Sequence, residues 1–194
     1  MQDEAGGTAP GTLVAVVGPS GAGKDTLIAR AMAHFAARND LHLVQRIITR
    51  TQDAGGEDHI AASPEAFREM QRAGAFAVDW EAHGLLYGIP AAVHEKLALG
   101  HVVIANGSRS TLPRFAAVFP SLLVINIVAR PEVLAERLES RGRESRSDIL
   151  LRLSRGSLAV DGDFRVVTID NSGAVEIAAQ QLIETLDELL GVTT

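Results

Sequence analysis

Gly18-Pro19-Ser20-Gly21-Ala22-Gly23-Lys24-Asp25-Thr26 is the stretch on which the reading of the whole chain turns. It follows the apolar run Leu13-Val14-Ala15-Val16-Val17 and precedes a segment in which Leu27, Ile28, Ala31, Met32 and Phe35 recur at helical spacing. Strand, glycine loop and helix in that order lay out a phosphate cradle. A loop with little side-chain bulk wraps its backbone N–H groups around an anion, and the helix behind it points its positive end at the same place. The spacing Gly18-x-x-x-x-Gly23-Lys24 adds a mobile ammonium for the transferred phosphoryl group. An ordinary βα turn does not require glycine, glycine and lysine at these offsets, so Gly18 to Thr26 is expected to bind the phosphates of a nucleotide.

Composition bounds the rest. A chain of 194 residues that is 46% apolar can bury a substantial core in one globular domain, with room for small insertions. Its net charge of −6 argues against a broad nucleic-acid or anionic-membrane surface, because both need a basic face. With no cysteine, disulfides and thiolate metal sites are excluded, and the six histidines lack ligand spacing. Residues 1–10 are polar and glycine-rich, without the basic and apolar regions of a leader, and no apolar run approaches a membrane span. A disordered tail of 1–10 and a soluble, cytoplasmic protein are expected.

Along the chain, the first helix should end near Arg38-Asn39-Asp40, and Leu41 to Ile48 reads as one strand. Ser63-Pro64-Glu65 supplies an N-cap, a first-turn proline and a first-turn acid for a helix to about Ala73, which Gly74 stops. Glu81 to Pro90 reads as a short hairpin, and Ala91 to Leu99 as a helix capped by Gly100. His101 to Ala105 and Leu122 to Ala129 are short apolar strands of the parallel type, Phe164 to Ile169 is a further strand, and helices fall over 131–138 and 174–190. Alternating strands and helices imply an α/β fold: a parallel sheet covered on both faces, with its ligand crevice at the strand C-terminal ends.

At this point the residues resemble the nucleoside-monophosphate kinase superfamily, in its guanylate kinase-like branch. Gly-Pro-Ser-Gly-Ala-Gly-Lys, Thr49-Arg50, the Glu-x-x-Gly-x-x-Tyr-Gly of Glu81 to Gly88, and Arg141-Gly142 occur in the branch's order. Gly23-Lys24-Asp25-Thr26, Ile48-Thr49-Arg50, Ala54 to His59, Ala82 to Pro90 and Asn106-Gly107-Ser108-Arg109 narrow the resemblance to the ribose 1,5-bisphosphate phosphokinases, from roughly Leu13 onward. The resemblance implies a three-layer P-loop kinase fold with core segments 11–49, 91–140 and 156–194, an acceptor-binding insertion at 50–90 and a lid at 141–155, all within a single domain of 11–194. It also implies transfer of the γ-phosphoryl of ATP to the 1-phosphate of ribose 1,5-bisphosphate, giving 5-phosphoribosyl 1-diphosphate and ADP during phosphonate breakdown. Guanylate or another nucleoside-monophosphate kinase is the alternative. A non-catalytic module on the same fold is disfavoured by the intact Gly23-Lys24, and a P-loop GTPase by the lack of an Asn-Lys-x-Asp motif.

Phosphoryl transfer asks for positioning and for positive charge around a spreading anion. By resemblance Lys24, Arg50, Arg141 and Arg152 are the catalytic cations: Arg50 holds the acceptor phosphate, and the other two arginines close over ATP. Arg137, Arg141, Arg143, Arg146, Arg152 and Arg155 crowd one short segment of an acidic chain, which makes a local anion site. Mg²⁺ commonly takes a Ser or Thr hydroxyl directly after the loop lysine, but here that position is Asp25 and the hydroxyl follows at Thr26. Mg²⁺ is therefore expected on ATP phosphates and waters, with Asp25 orienting one water and Thr26 bonding an inner phosphate.

For the acceptor, the residues singled out are Arg46, Arg50, Glu57, Asp79, Tyr87 and Arg109, while Trp80 and Phe76 read as packing. Guanylate kinases hold guanine and its phosphate with hydroxyls and a second arginine where this chain has Arg46, Asp53 and Ile89. A base edge deprived of those bonds is strongly disfavoured. A phosphorylated sugar suits the extra charge of Arg46 better, with Arg50 and Tyr87 on one phosphate and Arg46 or Arg109 on the other.

Overall fold

In the computed structural model, which describes residues 10–51, 58–140 and 160–191, Leu13–Val17 is a strand, β1, buried at every position. The chain continues through α1 (Lys24–His34), β2 (Leu41–Leu43), β3 (Ile47–Ile48), β4 (Ile60–Ala61), α2 (Pro64–Arg72), β5 (Phe76–Ala82) and β6 (Leu85–Pro90). It then forms α3 (Val93–Ala98), β7 (Val102–Asn106), a 3-10 turn at Arg109–Thr111, α4 (Leu112–Val118), β8 (Leu122–Val128) and α5 (Pro131–Glu139). β9 (Arg165–Asp170) and α6 (Val175–Leu189) complete it.

Five strands form a wholly parallel sheet in the order β2-β7-β1-β8-β9. All their C-terminal ends therefore lie along one edge, and the chain runs to opposite sides from β1, which is where α/β sheets open a ligand crevice. The four remaining strands make a mixed sheet in the order β4-β3-β6-β5, spanning Ile47 to Pro90.

The alternation of β1 divides the core. Val14 and Val16 pack with Leu27, Ile28, Ala31, Leu134, Leu182 and Leu186 on the side covered by α1, α5 and α6. Leu13, Ala15 and Val17 face the other way, toward Leu112, Phe115 and Phe119 of the α4 region. The mixed sheet docks on this second side through Val78, Trp80 and Ile89. Burial on both faces explains why the inner strands β1, β7 and β8 read as continuous apolar runs rather than as alternating ones.

Most elements fall where the sequence puts them, including α2, whose Ser63 hydroxyl accepts from Ala66 N at 3.1 Å and whose end meets Gly74 at φ 68°. Leu41 to Ile48 departs from expectation: it is two strands in two sheets, not one. Val44 N still donates to Ile104 O, but Gln45 is exposed and bonds Asp58, and Arg46 O accepts from Ile60 N. Polar side chains there would need partners inside the parallel sheet, so the chain leaves it. The first helix ends at His34, with Phe35 as a buried cap, earlier than its composition suggests. The hairpin is longer than expected because Phe76–Ala82 pairs along Leu85–Pro90. The helix α4 has no counterpart in the sequence reading.

Leu182 is fully buried at the centre of α6, whereas Ile177 on the same helix is 64% exposed. Leu182→Ala should cost about 2–5 kcal/mol through lost burial and a cavity. In a thermal melt this is a fall in Tm on the order of 5–15 °C. Ile177→Ala should stay within about 0.5 kcal/mol of the parent.

Candidate active site

The loop from Gly18 to Gly23 leaves the end of β1 and turns at once into α1. Gly18, Gly21 and Gly23 all adopt positive φ, and Gly23, at φ 90°, is the residue from which the helix starts. A Cβ on Gly23 would also run into the side-chain amide of Asn171. The loop closes with Ala22 N on Pro19 O at 3.2 Å and Leu27 N on Gly23 O at 3.1 Å. The first N–H groups of α1 have no acceptor within the helix and are directed at whatever anion the loop encloses. Lys24 Nζ donates to Gly18 O at 3.0 Å and Pro19 O at 3.3 Å, which holds its charge over the same mouth.

Residues far away in sequence brace the loop. Asn171, 2% exposed in the turn after β9, donates from Nδ2 to Ala22 O at 2.8 Å. Arg137, in the last turn of α5, donates to Gly21 O at 3.4 Å and to Asn171 O at 2.9 Å. Asn106, buried at the end of β7, donates from Nδ2 to Asp25 Oδ1 at 2.7 Å. None of these three was singled out from the sequence as a site residue, although Arg137 belonged to the arginine cluster. Asp25 and Thr26 are exposed at the start of α1. A carboxylate and a hydroxyl beside a phosphate loop are oxygen donors of the type that Mg²⁺ takes. Among the described residues no cluster of three or more His, Asp or Glu could hold a metal by itself.

The mixed sheet gathers a second set. Ile48 pairs with Tyr87 and Ile47 with Gly88, so Arg46 and Arg50, at either end of β3, flank Tyr87. The Arg46 guanidinium sits 5.1 Å from the centre of the Tyr87 ring and 5.6 Å from that of Trp80. The two rings lie nearly parallel, 5.3 Å apart. Trp80 is thus a packing residue, as expected, and also a platform beneath a cation. Thr49 locks the arrangement by accepting from Leu86 N at 2.8 Å on its hydroxyl and donating its own N–H to Leu86 O at 3.0 Å.

Arg50 is held by a residue that the sequence reading quoted without giving it a role. His59 is 2% exposed, its Nε2 lies 3.2 Å from Arg50 O and its Nδ1 3.4 Å from Arg50 Nη2. One tautomer satisfies both contacts: Nε2–H donates to the carbonyl and Nδ1 accepts from the guanidinium. Arg50 Nε is buried without a hydrogen-bond partner among the described residues. A phosphate oxygen would satisfy it, and buried polar groups seldom stay unmade.

Asp79 does not join this cluster. Along β5 it alternates with Val78 and Trp80, so it lies on the opposite face of the sheet from Tyr87, where Gln71 Nε2 donates to its Oδ1 at 2.7 Å. The period of two that buries Trp80 excludes Asp79 from the same side. Arg109 opens the 3-10 turn that follows β7, half-buried, and burial draws its guanidinium below the ordinary arginine value. Glu57, Asp53, Arg141 and Arg152 lie outside the described residues.

Comparison with known proteins places the chain. Its fold matches guanylate kinase from Anaplasma phagocytophilum with a TM-score of 0.67 at 16% identity, over 93% of this chain and 87% of that one. A putative kinase from Chloroflexus aurantiacus matches at 0.53, with 18% identity, over 97% of this chain and 100% of that one. The fold is therefore that of the guanylate kinase-like P-loop kinases. No family model matches the chain. Curated relatives are much nearer: the ribose 1,5-bisphosphate phosphokinase of Agrobacterium fabrum is 59% identical over 179 residues, 92% of this chain and 98% of that protein. Its namesakes in Rhizobium etli and Brucella melitensis are 57% and 47% identical, over 95% and 94% of this chain and 93% and 95% of those proteins. The chain belongs to the ribose 1,5-bisphosphate phosphokinase family.

Gly23→Ala is expected to force φ out of the positive region and to push Asn171 off Ala22 O. Calorimetric titration with MgADP should show affinity lowered at least about tenfold, as the loss of a charged or backbone phosphate contact implies. Unchanged affinity would mean that the loop is not the nucleotide site.

Proposed function

We propose that the chain transfers the γ-phosphoryl group of ATP to the 1-phosphate of ribose 1,5-bisphosphate, releasing ADP and 5-phosphoribosyl 1-diphosphate. The chain is an enzyme of the kinase class, and the observation that carries the acceptor is its 59% and 57% identity, over 92% and 95% of its length, with relatives bearing that name. The geometry supports the assignment. A phosphate loop on the parallel sheet and an Arg46–Tyr87–Arg50 cluster on the mixed sheet give separate places for donor and acceptor.

In this reading the loop N–H groups and Lys24 hold the β- and γ-phosphates, and Thr26 bonds an inner one. Arg50, oriented by His59, and Tyr87 grip one acceptor phosphate, while Arg46 or Arg109 manages the other. Arginine suits these places because its planar fork takes two oxygens at once. Arg141 and Arg152 are assigned to the closing side, where they neutralise charge as the phosphoryl group passes between its two oxygens. Mg²⁺, bound through ATP phosphates and waters with Asp25 orienting one of them, would neutralise charge on the transferred group. Exclusion of water during transfer keeps ATP from being hydrolysed. Among the described residues no helix is long and apolar enough to cross a membrane; the cytoplasm is the proposed location.

The deciding assay supplies purified protein with MgATP and, separately, ribose 1,5-bisphosphate and GMP. Turnover of the bisphosphate should exceed that of GMP by orders of magnitude, and the reverse would overturn the acceptor. Arg50→Ala should raise the acceptor KM about 10–100-fold, the worth of a charge-assisted contact. The same variant should leave MgADP affinity within about twofold, because the nucleotide loop stands on the other sheet.

A further inference from the structure

We propose that Asn106 is the positioning residue for the Asp25 carboxylate, and that the two form an exchanged version of the pair that flanks the metal in most phosphate-loop enzymes. The proposal rests on the kinase reading above and goes beyond it. In the usual arrangement the helix supplies a hydroxyl directly after the loop lysine, and a neighbouring strand supplies the carboxylate. Here the helix supplies the carboxylate, Asp25, and the adjacent strand ends in an amide, Asn106.

Asn106 is well placed to set that geometry. It pairs in register with Val16, immediately before the loop, and Gly107 N continues the ladder onto Val16 O at 2.9 Å, so its backbone is fixed on both sides. The side chain is 7% exposed, and its Nδ2 donates to Asp25 Oδ1 at 2.7 Å. Asp25 itself is exposed at the second position of α1. A carboxylate there has several rotamers open to it. Holding one oxygen from the strand selects one of them and aims the other oxygen at a fixed point.

The residue types follow from charge. The pair carries one negative charge, as a hydroxyl and a strand carboxylate would, but that charge now sits in the first turn of a helix, where the dipole stabilises it. A carboxylate at both positions would bring like charges within hydrogen-bond distance and drive a proton onto one of them. An amide at 106 donates where an acid would repel. An anion beside a phosphate loop is useful only with a cation between them, so Asp25 and Asn106 together specify the water shell on the cation side of the nucleotide.

The test reads metal binding directly, by electron paramagnetic resonance titration of Mn²⁺ into the enzyme–ADP complex. Asn106→Leu should weaken Mn²⁺ about tenfold, the low end of the loss when an outer partner at a metal site is removed, because Asp25 acts on the ion through a water. ADP affinity measured without metal should stay within about twofold. The reciprocal exchange, Asp25→Asn with Asn106→Asp, restores one amide and one carboxylate in contact and should recover Mn²⁺ affinity to within about threefold of the parent. Asp25→Asn alone, at an exposed position that keeps the hydrogen bond and deletes the charge, should not recover it. Unchanged Mn²⁺ affinity in Asn106→Leu overturns the proposal. If that variant fails to fold, an exchange that binds Mn²⁺ no better than Asp25→Asn alone overturns it as well. A protein that shows this Mn²⁺ behaviour but phosphorylates no sugar phosphate would overturn the acceptor assignment and leave the pair standing. An active kinase without it would do the opposite.

Discussion

The structure depends on one constraint: the backbone between Gly18 and Lys24 has to turn from a buried strand into a helix while keeping its N–H groups pointed inward. Such a turn is strained for residues with side chains, and three positive φ values on glycine meet that demand. What remains is to hold the loop's carbonyls, because a loop with little side-chain bulk has few contacts of its own. Asn171 and Arg137 take the carbonyls of Ala22 and Gly21, and Lys24 those of Gly18 and Pro19. Held at four carbonyls, the cradle has little freedom left for nucleotide binding to remove.

The parallel sheet supplies the positions from which those braces act. Asn106 ends β7, Asn171 follows β9, and Arg137 closes the helix after β8, so each brace is the product of a strand running in the same direction as β1. The mixed sheet plays the corresponding part for the proposed acceptor site. Its short β3 puts two arginines around one tyrosine, and β4 returns His59 to clamp the second of them. Both halves place charge by register rather than by flexible loops.

How much was legible in the sequence follows from distance along the chain. The loop, its strand and its helix are contiguous, so local spacing was sufficient to read them. Arg46, Arg50 and Tyr87 could be named because motifs mark them, though only strand pairing shows that they meet. The braces could not be read, since their partners lie 81 to 149 positions away and an asparagine in a turn looks the same whether or not it holds a loop. The alternation of Val78, Asp79 and Trp80 sets Asp79 on the face opposite Trp80, but only strand pairing shows that Tyr87 lies on the Trp80 side. The break at Val44 to Arg46 was missed for a similar reason: a run of mostly apolar residues does not show where a chain changes sheets.

The docking of the mixed sheet has a consequence for how this scaffold can be changed. It reaches the parallel core largely through the inward row Val78, Trp80 and Ile89, while the arginines proposed for the acceptor ride at the ends of β3. Attachment and the proposed recognition therefore lie largely on different side chains, apart from Trp80 and Tyr87, which do both. A laboratory lineage selected for a new phosphorylated acceptor could rewrite positions 46 and 50 while the inward row and the phosphate loop stay untouched. Trp80 and Tyr87 would be the fixed points of such a lineage, because they are side chains through which a change of specificity would also loosen the joint.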